Sequence, residues 1–420
     1  MRIGVFIDMN FKLIVIMIFC IVTLYNILIA LLQLRSSKNA IPANVADVYD
    51  AATYEKWCAY RKEKCHVSII HHIIGLIVDI ILITFDIYAA FAGLFSDNVV
   101  TQIFAVILLS TLTDIFTMPI DYYDTMKIEG KYGFNRTTAG TFFADKIKEY
   151  VISIGILTMI TWILALLHQA LGDYMIIAFA GALIVLIIVF SFLFPLFTRI
   201  FNKFQPLEEG ELRSKLTQLL EKHGYHVRAI EVMDASRRST KANAYFAGLG
   251  KTKSIVLYDT LLEKMTPDEI CGIFAHELGH GLHHDTLRGQ IVTFVQMLLI
   301  AVMAWLTLRY PELFAQFGFD GINYGFAVIM IMTVEFALFA PVYEIAANAL
   351  SRSYEYGADR CAAEEGYGQT LITALKKLTK TDFGDVAPSP ALILLKFSHP
   401  SLSQRIDALE AFEKQKSETK

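Results

Sequence analysis

Seven apolar runs dominate this chain, and each is close to the roughly 20 residues that a helix needs to cross a hydrocarbon core. They extend approximately from Leu13 to Leu34, Ser68 to Phe95, Val99 to Tyr123, Val151 to His168, Tyr174 to Phe197, Ile291 to Leu308 and Ile322 to Leu350. Composition agrees: 55% of the residues are hydrophobic and only 19% charged, too apolar for a soluble protein of this length. The expected fold class is therefore mainly α, a polytopic membrane protein with seven transmembrane helices and a small α+β domain. The first run follows Arg2, Asp8 and Lys12 and is not succeeded by a small-residue cleavage site, which favours an anchor over a removable signal. A net charge of -4 offers no basic field for nucleic acid. Five scattered cysteines, Cys20, Cys58, Cys65, Cys271 and Cys361, imply no disulfide framework.

Lysine and arginine are distributed unevenly between the loops, which sets the expected orientation. Arg35, Lys38, Lys56, Arg61, Lys62 and Lys64 follow the first run, and Lys127, Lys131, Arg136, Lys146 and Lys148 follow the third. The turns at 96–98, 169–173 and 310–321 carry none. The amino terminus is thus expected outside and the basic loops in the cytosol. This divides the chain into helices one to five with their loops (1–198), a cytosolic domain of soluble-protein texture (199–289), helices six and seven (290–350) and a cytosolic tail (351–420). Within the second segment, Glu208 to His223 reads as an amphipathic helix with Leu212, Leu216, Leu219 and Leu220 on one face. Ala244 to Phe246 and Ser254 to Tyr258 read as strands joined by a turn at Gly248 and Gly250.

The most informative local pattern is His276-Glu277-Leu278-Gly279-His280. Helix positions four apart share a face, so the two imidazoles can grip one zinc while Glu277 reaches the water that the metal activates. A helix here is supported independently, because Thr266-Pro267-Asp268-Glu269 reads as a capping box with proline in the first turn. Catalytic zinc takes a third protein ligand and keeps one position open. Glu355, just beyond the last apolar run, is the candidate, since a hairpin of the sixth and seventh helices returns the chain to the same membrane face. Asp359, one turn further, can accept the outer N–H of a ligating histidine.

These residues carry a family resemblance. The chain resembles the type I CAAX prenyl endopeptidases through residues 133–138 (Gly-Phe-Asn-Arg-Thr-Thr), 243–246 (Asn-Ala-Tyr-Phe), 255–262, the His276–His280 motif, Glu355 with Asp359, and His399-Pro400-Ser401 with Arg405-Ile406. The resemblance implies seven helices enclosing a water-filled intramembrane chamber, capped by the zinc domain, with one Zn2+ per chain. It implies cleavage near the carboxyl end of a peptide or protein substrate, prenylated in this group, whereas relatives with fewer spans degrade damaged membrane proteins. It also implies substrate pairing along the strand of Asn243, Ala244 and Tyr245, and contact of His399 and Arg405 with the substrate or its oxyanion. The implied location is the endoplasmic-reticulum type of membrane in a eukaryote, or the inner or plasma membrane in a prokaryote. Acidic residues inside the runs, Asp79, Asp86, Asp114, Asp121, Glu335 and Glu344, are costly in lipid and fit a hydrated interior. They also fit an ion-coupled transporter, which gives no reason for the placement of Glu277. A catalytically inactive scaffold would show damage in the zinc set, and none is visible.

The charge asymmetry predicts that positions 135 and 276 are labelled from the cytosolic side in a cysteine-accessibility experiment. Labelling of position 135 from outside with 276 inside would contradict that topology.

Overall fold

The computed structural model describes residues 10–247, 252–334 and 338–418. Glu335 and the expected turn at Gly248 and Gly250 lie outside them. The first half is helical: α1 (Phe11–Ser36), α2 (Ala51–Thr84), α3 (Ile87–Ala92), α4 (Val99–Leu112), α5 (Met118–Tyr123), α6 (Ala139–Leu171) and α7 (Met175–Phe201). Then come β1 (Phe204–Pro206), α8 (Glu211–Lys222), β2 (His226–Met233), β3 (Ala244–Ala247) and β4 (Thr252–Tyr258). The remainder is α9 (Asp259–Lys264), α10 (Pro267–Leu282), α11 (Asp285–Leu308), α12 (Glu312–Ala315), α13 (Tyr324–Val334), α14 (Ala340–Glu364), α15 (Gly368–Thr381), α16 (Pro390–Lys396) and α17 (Leu402–Glu418).

Among the described residues, five stretches are long and apolar enough to cross a membrane: 11–36, 51–84, 99–116, 139–190 and 287–308. The stretch 139–190 contains α6 and most of α7, separated at Gly172, whose φ of 53° turns the chain. Apolar runs and helices do not coincide elsewhere. The second run breaks at Asp86, a left-handed residue with φ 54°. The third passes from α4 through a 3-10 turn and α5, which has Pro119 in its first turn, into a π-helical turn at Asp124–Glu129. The last contains α13, an apolar helix of 11 residues, and the start of α14, with Pro341 in its opening turn. On α1, Leu13, Met17, Ile21, Leu24, Leu28 and Leu31 remain exposed at spacings of three and four, a continuous stripe suited to lipid and not to water.

Two large cores organise the rest. One joins membrane helices through Ile83, Ile103, Val106, Leu164, Ala301 and Phe326. The other joins the first half of the chain to the domain that holds the sheet, with Trp57 and Phe134 packed in the same cluster as Leu257, Phe274, Ala362 and Leu371. The indole N–H of Trp57 donates to the Phe383 carbonyl at 3.0 Å, which ties α2 to the segment after α15. Helix α2 and the segment before α6 thus pack directly against the elements of the carboxyl-terminal half.

The sheet has the order β1-β2-β4-β3, with β2 and β4 parallel and the two outer pairs antiparallel. The helix expected at 208–223 is α8, and the two expected strands are β3 and β4, each a residue or two longer. β1 and β2 had no counterpart in the sequence reading. β3 lies at the sheet edge beside α10.

Helix α10 starts as its capping box requires: Thr266 accepts from the Glu269 N–H, and Glu269 accepts from the Thr266 N–H. Its most extensive contact is with α14. A Cβ at Gly279 would lie 2.8 Å from Ala358 Cα, 3.0 Å from Cys361 Cβ and 3.2 Å from the Ala358 carbonyl oxygen. Only hydrogen at this position permits that separation, because two of the three atoms are backbone. Gly279→Ala is therefore expected to push α14 away, reducing thermal stability by about 1–3 kcal/mol and lowering activity with it. Gly75→Ala, on a helix face where a Cβ meets nothing within 4 Å, is the control. Equal stability and activity in the two variants would contradict this packing.

Candidate metal centre

His276 and His280 stand one turn apart on α10, with ring centroids 4.8 Å apart and planes at 85°. Their Nε2 atoms converge on Glu355 of α14, at 3.4 Å from Oε2 for His276 and 3.3 Å from Oε1 for His280. One ligand atom from each of the three residues lies within 4.8 Å of the others. Glu355 is only 3% exposed, yet its Oε2 has no hydrogen-bond partner. A buried carboxylate oxygen that makes no hydrogen bond is costly even with an ion-pair neighbour, and a cation between the carboxylate and the two Nε2 atoms offsets that cost. The donor set fits a metal ion of the zinc type, with nitrogen and oxygen ligands and room for a fourth partner.

The outer nitrogens are fixed from two directions. His276 Nδ1 lies 2.9 Å from Asp359 Oδ1, and His280 Nδ1 lies 3.0 Å from Asp285 Oδ2. Arg405, from α17, donates to Asp359 through Nε at 2.9 Å and Nη2 at 2.5 Å, and its Nη1 lies 3.3 Å from Glu355 Oε2. Its guanidinium is inside the protein, 8% exposed. His399 lies on the open side, its Nε2 3.2 Å from Glu355 Oε1 and its side chain 60% exposed.

Charge is distributed accordingly. Burial pushes the Asp359 carboxyl up, but the guanidinium of Arg405 and the His276 contact outweigh it and hold the group down at about 2. Burial likewise acts against the ionised Glu355, and His280, His276 and Arg405 overcome it, leaving the carboxyl below its ordinary range. Burial lowers the affinity of His280 for a proton, while Glu355 and Asp285 raise it further, to about 9. Glu277 goes the other way: burial raises its carboxyl above the ordinary range, against the pull of His276, His280 and Arg405. It lines a cavity of about 510 Å³ with Tyr245, His280, Val292, Leu350 and Tyr354.

The site residues named from sequence thus divide. His276, Glu277, His280, Glu355, Asp359, His399 and Arg405 come together, and Tyr245 reaches the cavity wall. Asn243 is exposed at the start of β3, and Ala244 is buried beneath it in the core. Asp285 was missed. Its only sequence signal was an acid shortly after His280, and its approach depends on His284, which adopts the left-handed conformation with φ 57°. Several of the acids in the apolar runs have counter-ions: Asp86 with Lys12 at 2.7 Å, Asp121 with His71 at 3.4 Å, and Glu344 with Lys396 at 3.0 Å.

Residues 30–203 match the family model described as CAAX prenyl protease N-terminal, five membrane helices, and residues 206–413 match peptidase family M48. The CAAX prenyl protease 1 homolog of Oryza sativa is 31% identical over 391 residues, covering 88% of this chain and 90% of that protein. This chain belongs to the CAAX prenyl protease 1 family. CAAX prenyl protease 1 of Saccharomyces cerevisiae is 28% identical, with 90% of each chain covered. The crystal structure of S. mikatae Ste24p superposes with a TM-score of 0.88 at 26% identity, covering 95% of this chain and 99% of that one. As a family member the chain is an integral membrane metalloendopeptidase that acts on a peptide or protein substrate, and the family implies a metal ion. The ion-coupled transporter reading has no support.

Proposed function

We propose that this chain is a zinc endopeptidase that cleaves near the carboxyl terminus of prenylated, CAAX-type substrates, with His276, His280 and Glu355 as the metal ligands. The observation that carries the metal assignment is the buried Glu355 carboxylate facing two imidazole Nε2 atoms, His276 at Oε2 and His280 at Oε1, with Oε2 making no hydrogen bond. Prenylated substrates are read from the relatives, whose names specify CAAX prenyl proteases.

When bound, zinc supplies a Lewis acid that polarises the scissile carbonyl and makes water acidic near neutral pH. Glu277, in the cavity wall beside His280, takes the proton of the attacking water and delivers it to the leaving amine. Asp359 holds His276 through Nδ1, and Arg405 locks Asp359 and offsets the charge of Glu355. Since Arg405 is enclosed by these carboxylates, we assign substrate or oxyanion contact to the exposed His399. The edge of β3, with Asn243, Ala244 and Tyr245, pairs with an extended peptide through its backbone.

We also infer seven spans around an intramembrane chamber. The stretch 139–190 counts as two spans because Gly172 divides it, and α13 with the start of α14 forms the seventh. The excess of lysine and arginine in the loops supports a cytosolic site domain and an amino terminus outside.

Glu277→Ala is expected to retain about one zinc per chain while turnover of a prenylated peptide falls by about 100-fold to 10,000-fold. Glu355→Ala is expected to lose zinc and turnover together. Zinc content and cleavage rate, measured at equal detergent and protein concentrations, decide between the roles. Substantial activity in Glu277→Ala, or full zinc and full activity in Glu355→Ala, overturns the respective assignment. Equal cleavage of the unprenylated peptide by the parent enzyme would overturn the substrate class.

A further inference from the structure

The two histidines of α10 are held by carboxylates from different parts of the chain. Asp359 comes from α14 and is itself locked by Arg405. Asp285 is the first residue of α11, 6% exposed, with Oδ2 3.0 Å from His280 Nδ1. Between His280 and Asp285 the chain leaves α10 through His283 and reverses at His284, whose φ of 57° is uncommon for a residue other than glycine. That turn directs the Asp285 carboxylate back at the helix the chain has just left. Arg288 forms a long ion pair with it, Nη1 3.9 Å from Oδ1. Oδ1 is buried with no hydrogen-bond partner. A buried carboxylate with one oxygen unsatisfied is expensive to keep, and its one close partner is the imidazole of His280.

We propose that Asp285 is a positioning residue for the metal centre: by accepting the Nδ1–H of His280, it fixes the tautomer that presents the Nε2 lone pair to the ion. The proposal rests on His276, His280 and Glu355 being the metal ligands. An imidazole without such a partner can rotate about its side-chain bonds or protonate Nε2 instead of Nδ1, and both remove a ligand. The carboxylate also strengthens the imidazole as a donor. Because Asp285 opens α11, whose Gly289, Val292 and Thr293 line the catalytic cavity, the same residue fixes His280 relative to that wall.

The test uses the full-length protein in detergent, with zinc affinity measured by competition against a chelator of known strength. Asp285→Ala is expected to weaken zinc binding by about 10-fold to 100-fold. Asp285→Asn, which keeps the shape and one acceptor oxygen, is expected to recover part of that loss. With cobalt(II) in place of zinc, the visible d–d bands of Asp285→Ala should shift from those of the parent, a readout that a general loss of stability does not produce. Circular dichroism and the thermal midpoint establish that the variants are folded. If the parent binds no zinc, the metal-site reading fails and this proposal with it. If the parent binds zinc and folded Asp285→Ala matches it in affinity and cobalt spectrum, the positioning role alone is overturned. Should Asp285→Ala not fold, Asp285→Asn decides: a folded Asp285→Asn whose zinc affinity and cobalt spectrum both match the parent's also overturns it.

Discussion

The close approach of α10 and α14 at Gly279 is the constraint on which the site depends. The histidines belong to one helix and Glu355 and Asp359 to the other, so the distance between the helices sets whether three ligand atoms share one point. Glycine lets the Ala358 backbone come within the space that any side chain would occupy. Everything around this contact works to hold it. The capping box fixes where α10 begins, the core around Phe274, Ala362 and Leu371 closes its far side, and α17 delivers Arg405 across the back.

Enclosing so many charges would be unfavourable without pairing. Glu355, Asp359 and Asp285 are all nearly inaccessible, and the Arg405 guanidinium is buried with them. Its position between Asp359 and Glu355 offsets the desolvation of both, while the imidazoles take up the remaining contacts. Glu277 is outside this compensation and faces the cavity, where burial keeps its carboxyl easier to protonate than an ordinary glutamate. The general-base role proposed for Glu277, taking a proton and returning it in each cycle, would benefit from that environment. The same separation of roles explains why carboxylates so near each other can do different work.

Much of the site was legible because its key spacing is local. His276 and His280 declare a shared helix face by their separation alone, and Thr266 with Glu269 announces where that helix starts. Glu355 required a topological step, the return of a helical hairpin to the same membrane side. Asp285 was not legible: its contact depends on the backbone conformation of His284, which residue identity does not specify. Arg405 and His399 were reached through resemblance, since nothing in the spacing of α16 and α17 points to α10. Apolar runs revealed the membrane class but not the helix ends, because hydropathy averages over residues and is blind to the left-handed turn at Asp86 or the π-helical turn after α5. β2 escaped notice because His226-Val227-Arg228 begins it with mixed polarity.

X-ray absorption at the zinc edge of the purified protein tests the central claim most directly. The account predicts two imidazole nitrogens at about 2.0–2.1 Å and oxygen ligands at about 2.0–2.2 Å, with no sulfur. The structure leaves all five cysteines free, two of them, Cys271 and Cys361, buried on α10 and α14 themselves. A zinc–sulfur shell at about 2.3 Å, or a coordination sphere lacking two imidazoles, would contradict it.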